Sequence, residues 1–152
     1  MTPSSTLAAT QLQGVRLTAE EQAVYDFVSH DVSNVRHFME QVRGATAADT
    51  HAAIVTHIAH TDAILQTSYS KWLERDPVFG RVHTLERSYE SVLRSMVTVN
   101  RNMKAALAAP TEAAAVAARK KAKREVPRLT SRVEWTLYEL DWLTAFTGAG
   151  GA

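Results

Sequence analysis

Two aspartates interrupt otherwise apolar helical rows in this chain. Asp31 falls in the row Val24, Val28, Asp31, Val35, Phe38, and Asp62 falls in the row Val55, Ile58, Asp62, Leu65, Tyr69. Both rows follow the three-and-four spacing of a buried helix face, so both acids are expected to point inward or toward a seam edge. If the turn between these two helices is centred near residue 46 or 47, an antiparallel hairpin places Asp31 and Asp62 at one level as a buried polar pair. Facing carboxylates in a poor dielectric cannot both stay ionised cheaply. Such a pair holds a cation, shares a proton, or is hydrogen-bonded at the rim to neighbours such as Asn34, Thr61 or an arginine of a later helix. The last of these is the expectation, and no metal site is expected.

The histidines invite a metal reading that the ligand set does not complete. His57 and His60 are three residues apart, with His51 before them and His37 on the preceding helix. A di-iron bundle needs Glu-x-x-His pairs with further glutamates on facing helices, and the chain contains no Glu-x-x-His. In the register above, His30, His37, His57 and His60 fall on outward positions. There is no cysteine, no phosphate-cradling glycine loop and no Gly-x-Ser-x-Gly elbow. No cofactor is therefore expected, and the chain is expected not to be an enzyme.

Charge is concentrated in one stretch. Between residues 119 and 132 stand Arg119, Lys120, Lys121, Lys123, Arg124, Arg128 and Arg132 against Glu125 alone, in a chain whose net charge is only +1. The remainder is thus acidic, and the molecule is polarised along its length. A basic helix of this kind can contact phosphates, anionic lipid or an acidic partner. It lacks the interleaved aromatics that stack bases, and the alanines on its other side are too small to insert into a bilayer.

Just beyond it, Trp135, Tyr138, Trp142 and Phe146 recur at the same helical spacing, on a different face from Val133, Leu140 and Leu143. A helix in a simple bundle needs one buried stripe, and leaving two tryptophans on a second face creates a patch that soluble monomers avoid. The cover is either the N-terminal segment with Leu7, Leu12, Val15 and Leu17, or another subunit. The second is favoured, because Trp and Tyr are enriched at interface hot spots.

The elements that must position these residues are helices. Thr18-Ala-Glu-Glu21 has the form of a capping box, and it opens a helix buried through Val24, Val28, Val35, Phe38 and Val42 and stopped at Gly44. A second helix is expected from Thr46 or Asp49, buried through Val55, Ile58, Leu65, Tyr69 and Trp72. Asp76-Pro77 is expected to open a third, whose seam is Val82, Leu85, Tyr89, Val92, Met96, Val99, Met103 and Ala106. After Ala109-Pro110, Thr111 caps a fourth helix that Pro127 kinks or divides, with Leu129, Val133, Leu137, Leu140 and Leu143 beyond it. The expected architecture is all-α: an antiparallel up-down-up-down bundle of four long helices. The alternative is an extended helical hairpin completed by oligomerisation.

Composition sets the frame. The 152 residues are 45% hydrophobic and 22% charged, which suits one globular domain rather than a disordered chain. The domain is expected over 18–147, with flexible tails at 1–17 and 148–152. No stretch is long and apolar enough to span a bilayer. Residues 1–17 contain no acid and one basic residue, Arg16, too few cations for an organellar transit peptide, so the expected location is intracellular and cytoplasmic, with an organellar matrix as the alternative. The expected function is a helical interaction or scaffolding subunit of a larger assembly, docking other protein subunits or its own copies through the aromatic C-terminal face. The alternative is a small nucleic-acid-associated subunit that holds backbone phosphates through the basic segment.

Overall fold

A computed structural model describes residues 16–48 and 50–147, and every regular element among them is helical. Residues 1–15 of the expected tail at 1–17, with Leu7, Leu12 and Val15, and the expected tail at 148–152 lie outside the described residues, as does Asp49. Helix α1 spans Ala19–Ala48. Its capping box closes reciprocally: the Thr18 amide donates to Glu21 Oε1 at 2.8 Å and the Glu21 amide donates to Thr18 Oγ1 at 3.1 Å. Val24, Val28, Val32, Val35 and Phe38 form its buried face. Gly44 does not stop it. An added Cβ there would meet no atom, and three of the four residues that follow are alanines, which sustain a helix. The next helix is instead opened by Thr50, whose hydroxyl accepts from the Ala53 amide.

Helix α2 spans His51–Ile64, widens into a π-helical turn over Leu65–Tyr69, and closes with the single turn α3, Ser70–Leu73. Its buried positions are Ile54, His57, Thr61, Ser68 and Trp72. The expected seam through Val55 is therefore displaced: Val55 is exposed, and Ile58, Leu65 and Tyr69 are only half-buried. A search for apolar residues passes over polar side chains that satisfy themselves locally. Thr61 donates to the carbonyl of His57 at 2.7 Å, and the His57 ring packs against Phe38 with centroids 5.2 Å apart. His57 is thus an interior residue, whereas His30, His37 and His60 face outward as expected.

Asp76-Pro77 opens no helix. Helix α4 begins six residues after Pro77 and spans His83–Ala108. The intervening amides are captured by two buried carboxylates: Val78 donates to Glu86 at 3.0 Å, and Arg81 donates to Glu21 Oε2. A Cβ on Gly80 would meet the Glu21 carboxylate, so a larger residue there displaces that side chain from the Arg81 amide. Once in helix, α4 buries all eight residues of its expected seam, from Val82 to Ala106.

Helix α5 spans Glu112–Thr144. Thr111 caps it by accepting from the Ala114 amide at 3.1 Å. It continues through Pro127 as one element, so the expected division is absent. Ala115, Ala118, Ala122, Leu129, Val133, Thr136, Leu140 and Leu143 form its buried face.

Four helical rods share one core. Between α1 and the α2–α3 rod, Phe38 meets His57 and Asp31 meets Ser68. Between that rod and α4, Asp62 meets Asn100 and Trp72 meets Tyr89. Between α4 and α5, Ser88 meets Thr136 and Ser95 meets Glu125. Between α5 and α1, Thr130 meets Arg43 and Thr144 meets Tyr25. No described helix is long and apolar enough to cross a membrane.

Candidate functional site

The aromatic face of α5 is built by helical periodicity. Residues spaced three and four apart lie on one side of a helix, and here the opposite side is already buried against α1 and α4. Trp135, Tyr138 and Trp142 are 53%, 60% and 50% exposed, the level of surface residues despite their size. Trp135 and Tyr138 stack at 5.4 Å, and Trp142 leans on Phe146 at 5.0 Å. Phe146 differs from the other three. It is half-buried at the core edge, and the Arg81 guanidinium sits 4.9 Å from its ring. The Leu17 amide donates to its carbonyl at 2.8 Å.

Two hollows adjoin this face. Trp135 lines a hollow of about 490 Å³ with His83, Arg87, Ser131 and Arg132. A neighbouring hollow of about 380 Å³ shares His83 and Arg87 and is walled by Trp72, Leu73 and Phe79. Phe79 is 80% exposed and packs on the His83 ring at 5.0 Å. The Pro-Val-Phe-Gly run that carries Phe79 is visible in the sequence, but assigning it to a helix hides its exposure.

Against family models, curated proteins and solved structures, the chain matches none. Its chemistry must therefore be read from its own geometry.

The basic segment occupies the first half of the same helix. Lys120, Lys121, Lys123, Arg124 and Arg128 are exposed. Arg128 pairs with Glu125 at 3.5 Å. Arg119 is largely covered and pairs with Glu112 at 3.1 Å. Arg132 is half-buried and donates to the Ser91 carbonyl at 3.2 Å and to Ser95 Oγ. The surface cations are thus fewer than the composition of the segment suggests.

Asp31 and Asp62 are placed apart. The hairpin register sets Ser68, not Asp62, against Asp31: Ser68 Oγ donates to Asp31 Oδ1 at 2.7 Å, with Asn34 Nδ2 at 3.5 Å. Asp31 is buried, its Oδ2 has no partner, and it lines a hollow of about 340 Å³ beside the π turn with His30, Ser68 and Lys71. Asp62 instead faces α4, accepting from Lys104 Nζ and from Asn100 Nδ2, each at 2.8 Å. The hydrogen bond and charge of Lys104 hold the Asp62 carboxyl below its ordinary range. Two effects displace the pair from the expected level. Helix α1 runs past Gly44 to Ala48, which moves the turn toward residue 50, and α2 then presents a different face. No group of acids and histidines among the described residues could hold a metal ion.

Three structural carboxylates and a histidine were not legible as such. Glu21 reads as a capping residue, yet it also ties the α3–α4 loop. Burial raises its carboxyl, and the amide donors of Thr18 and Arg81 outweigh that and leave it below the ordinary value. Glu86 stands in no motif, yet it is buried, accepts from Val78 and lies 3.4 Å from Arg75. Arg75 in turn caps the Trp72 ring at 4.4 Å. Glu125 takes the Ser95 hydroxyl at 2.9 Å beneath the basic segment.

Proposed function

We propose that this chain is a non-enzymatic interaction or scaffolding subunit, an intracellular antiparallel up-down-up-down bundle that docks through the aromatic face of its last helix. The observation that carries this is the exposure of Trp135, Tyr138 and Trp142 on a helix whose opposite side already fills the core. Large aromatics with half their surface in water are the side chains from which burial by a partner gains most. The hollows around Trp135 and Phe79 add shape to that surface. The antiparallel arrangement is supported by the partner pairs between rods, in which one residue number falls as the other rises. Pro127 is a point of bend within α5, where the missing amide removes one helical hydrogen bond.

The size of the native species in its own lysate tests this, comparing the natural sequence with Trp135→Ser/Trp142→Ser. A species larger than the chain, lost in the variant while circular dichroism stays unchanged, supports docking. Migration of the natural protein as a bare monomer counts against it.

A second reading draws on the exposure of Lys120, Lys121, Lys123, Arg124 and Arg128, which suits contact with the phosphates of a nucleic acid without sequence discrimination. It requires steeply salt-dependent polynucleotide binding that disappears when these lysines become glutamine. Failure to bind DNA at low salt sinks it.

A further inference from the structure

The basic and aromatic halves of α5 form one continuous exposed stripe. Lys121, Arg124, Arg128, Ser131, Trp135, Tyr138 and Trp142 follow one another at alternating intervals of three and four residues, and each is exposed. This is the spacing of a coiled-coil seam, here on the solvent side of a helix whose inner side carries the buried stripe. At 1.5 Å per residue the stripe is about 32 Å long. Its chemistry changes at Ser131: cations lie before it and aromatics after it.

That order is self-complementary in one orientation. Two such helices laid parallel would set cation on cation. Laid antiparallel about a two-fold axis beside Ser131, Trp135 of one copy meets Arg128 of the other, Tyr138 meets Arg124, and Trp142 meets Lys121. Each contact then occurs twice. Cations over the faces of Trp and Tyr are attracted by the ring quadrupole, and Arg stacks on them best. At the axis, where two identical residues must face each other, the small Ser131 permits close approach. Glu139, level with Arg124 of the other copy, adds an opposite charge. A closed two-fold contact demands one patch that complements itself, and this stripe has that property in its residue order.

We propose that two copies of this chain pair through the outer face of α5, antiparallel and centred at Ser131, with the basic half of each helix covering the aromatic half of the other. This rests on the proposed role of the aromatic face as a docking surface and names its occupant. Three half-exposed aromatics contribute about 300 Å² per copy, or on the order of 600 Å² of buried surface over the two copies. The stems of Lys121, Arg124 and Arg128 bring the contact to roughly 1,000 Å², the lower bound for a specific interface. A reversible, concentration-dependent dimer is the consequence.

Sedimentation of the purified full chain from about 1 to about 300 µM is the primary test, at the low end of interface size. The expected result is a monomer–dimer equilibrium that Arg124→Glu/Arg128→Glu weakens by at least about tenfold with helicity unchanged. Because the chain has no cysteine, orientation can be read by disulfide trapping. Ser131→Cys is expected to link to itself, and Lys121→Cys to link to Trp142→Cys in a mixture, while Trp142→Cys alone stays unlinked. A monomer throughout that range, a dimer indifferent to the charge reversals, or self-linking of Trp142→Cys overturns the proposal. A purified monomer that still migrates as a larger species in lysate, dependent on Trp135 and Trp142, overturns self-pairing and leaves docking to a different protein. A monomer in both settings overturns both.

Discussion

His57 shows how much a single buried polar side chain changes. Burial, with a smaller contribution from the charge of His60, lowers its pKa from 6.5 to about 4. In the unfolded chain it takes up a proton near pH 6.5 that the folded protein refuses, so stability falls as pH drops from about 6.5 toward about 4. At about 1.4 kcal/mol per pKa unit the loss is on the order of 3 kcal/mol. Urea unfolding at pH 7.5, 6 and 5 should show this decline, and His57→Leu should flatten it. An unchanged slope in the variant would assign the pH dependence to another group. Sequence periodicity sets His57 outside because it weighs polarity alone, whereas packing against Phe38 and the local bond from Thr61 make the interior tolerable. Asp31 and Asp62 teach the same lesson: that both interrupt apolar rows is legible, but their partners, Ser68 and Lys104, lie on elements whose register no local pattern encodes.

At the scale of elements, the loop between α3 and α4 is held by carboxylates from two helices rather than by its own turn residues. Glu21 joins the start of α1 to Arg81 in that loop, through hydrogen bonds to an ionised acceptor. Glu21→Gln keeps the shape and removes the charge, and should cost about 1 to 2 kcal/mol. The contribution of Glu21 is present above the ordinary carboxyl range and lost as pH falls through its lowered value, so natural protein and variant should converge in acid. Equal denaturation midpoints at pH 7 would contradict the tie. In α5, Pro127 withholds one amide from an otherwise unbroken helix. Pro127→Ala should raise stability by about 1 to 3 kcal/mol in the same measurement, and a fall would contradict this. Helix caps at Thr18 and Thr111 were readable because a cap is settled within four residues. The false start at Asp76-Pro77 was not, because the amides beyond it are taken by Glu21 and Glu86 from elsewhere in the chain.

Across the whole molecule, α5 presents two stripes, one buried and one exposed. Leu129 belongs to the inner one and is fully buried, so Leu129→Ala should cost about 2 to 5 kcal/mol through cavity formation. Trp135 belongs to the outer one, and Trp135→Ala should cost under about 1 kcal/mol in dilute monomer. Comparable losses would make the aromatic face part of the core. The all-helical class, the capped starts of α1 and α5, the seam of α4 and the second apolar face of α5 follow from short-range spacing, because amphipathic period and capping are local properties. Which face of α2 turns inward, where the α1 turn falls and which carboxylates hold the α3–α4 loop depend on residues far apart in the chain. Those pairings arise when the rods pack, and the energy that selects them is shared between elements that no single stretch of sequence contains.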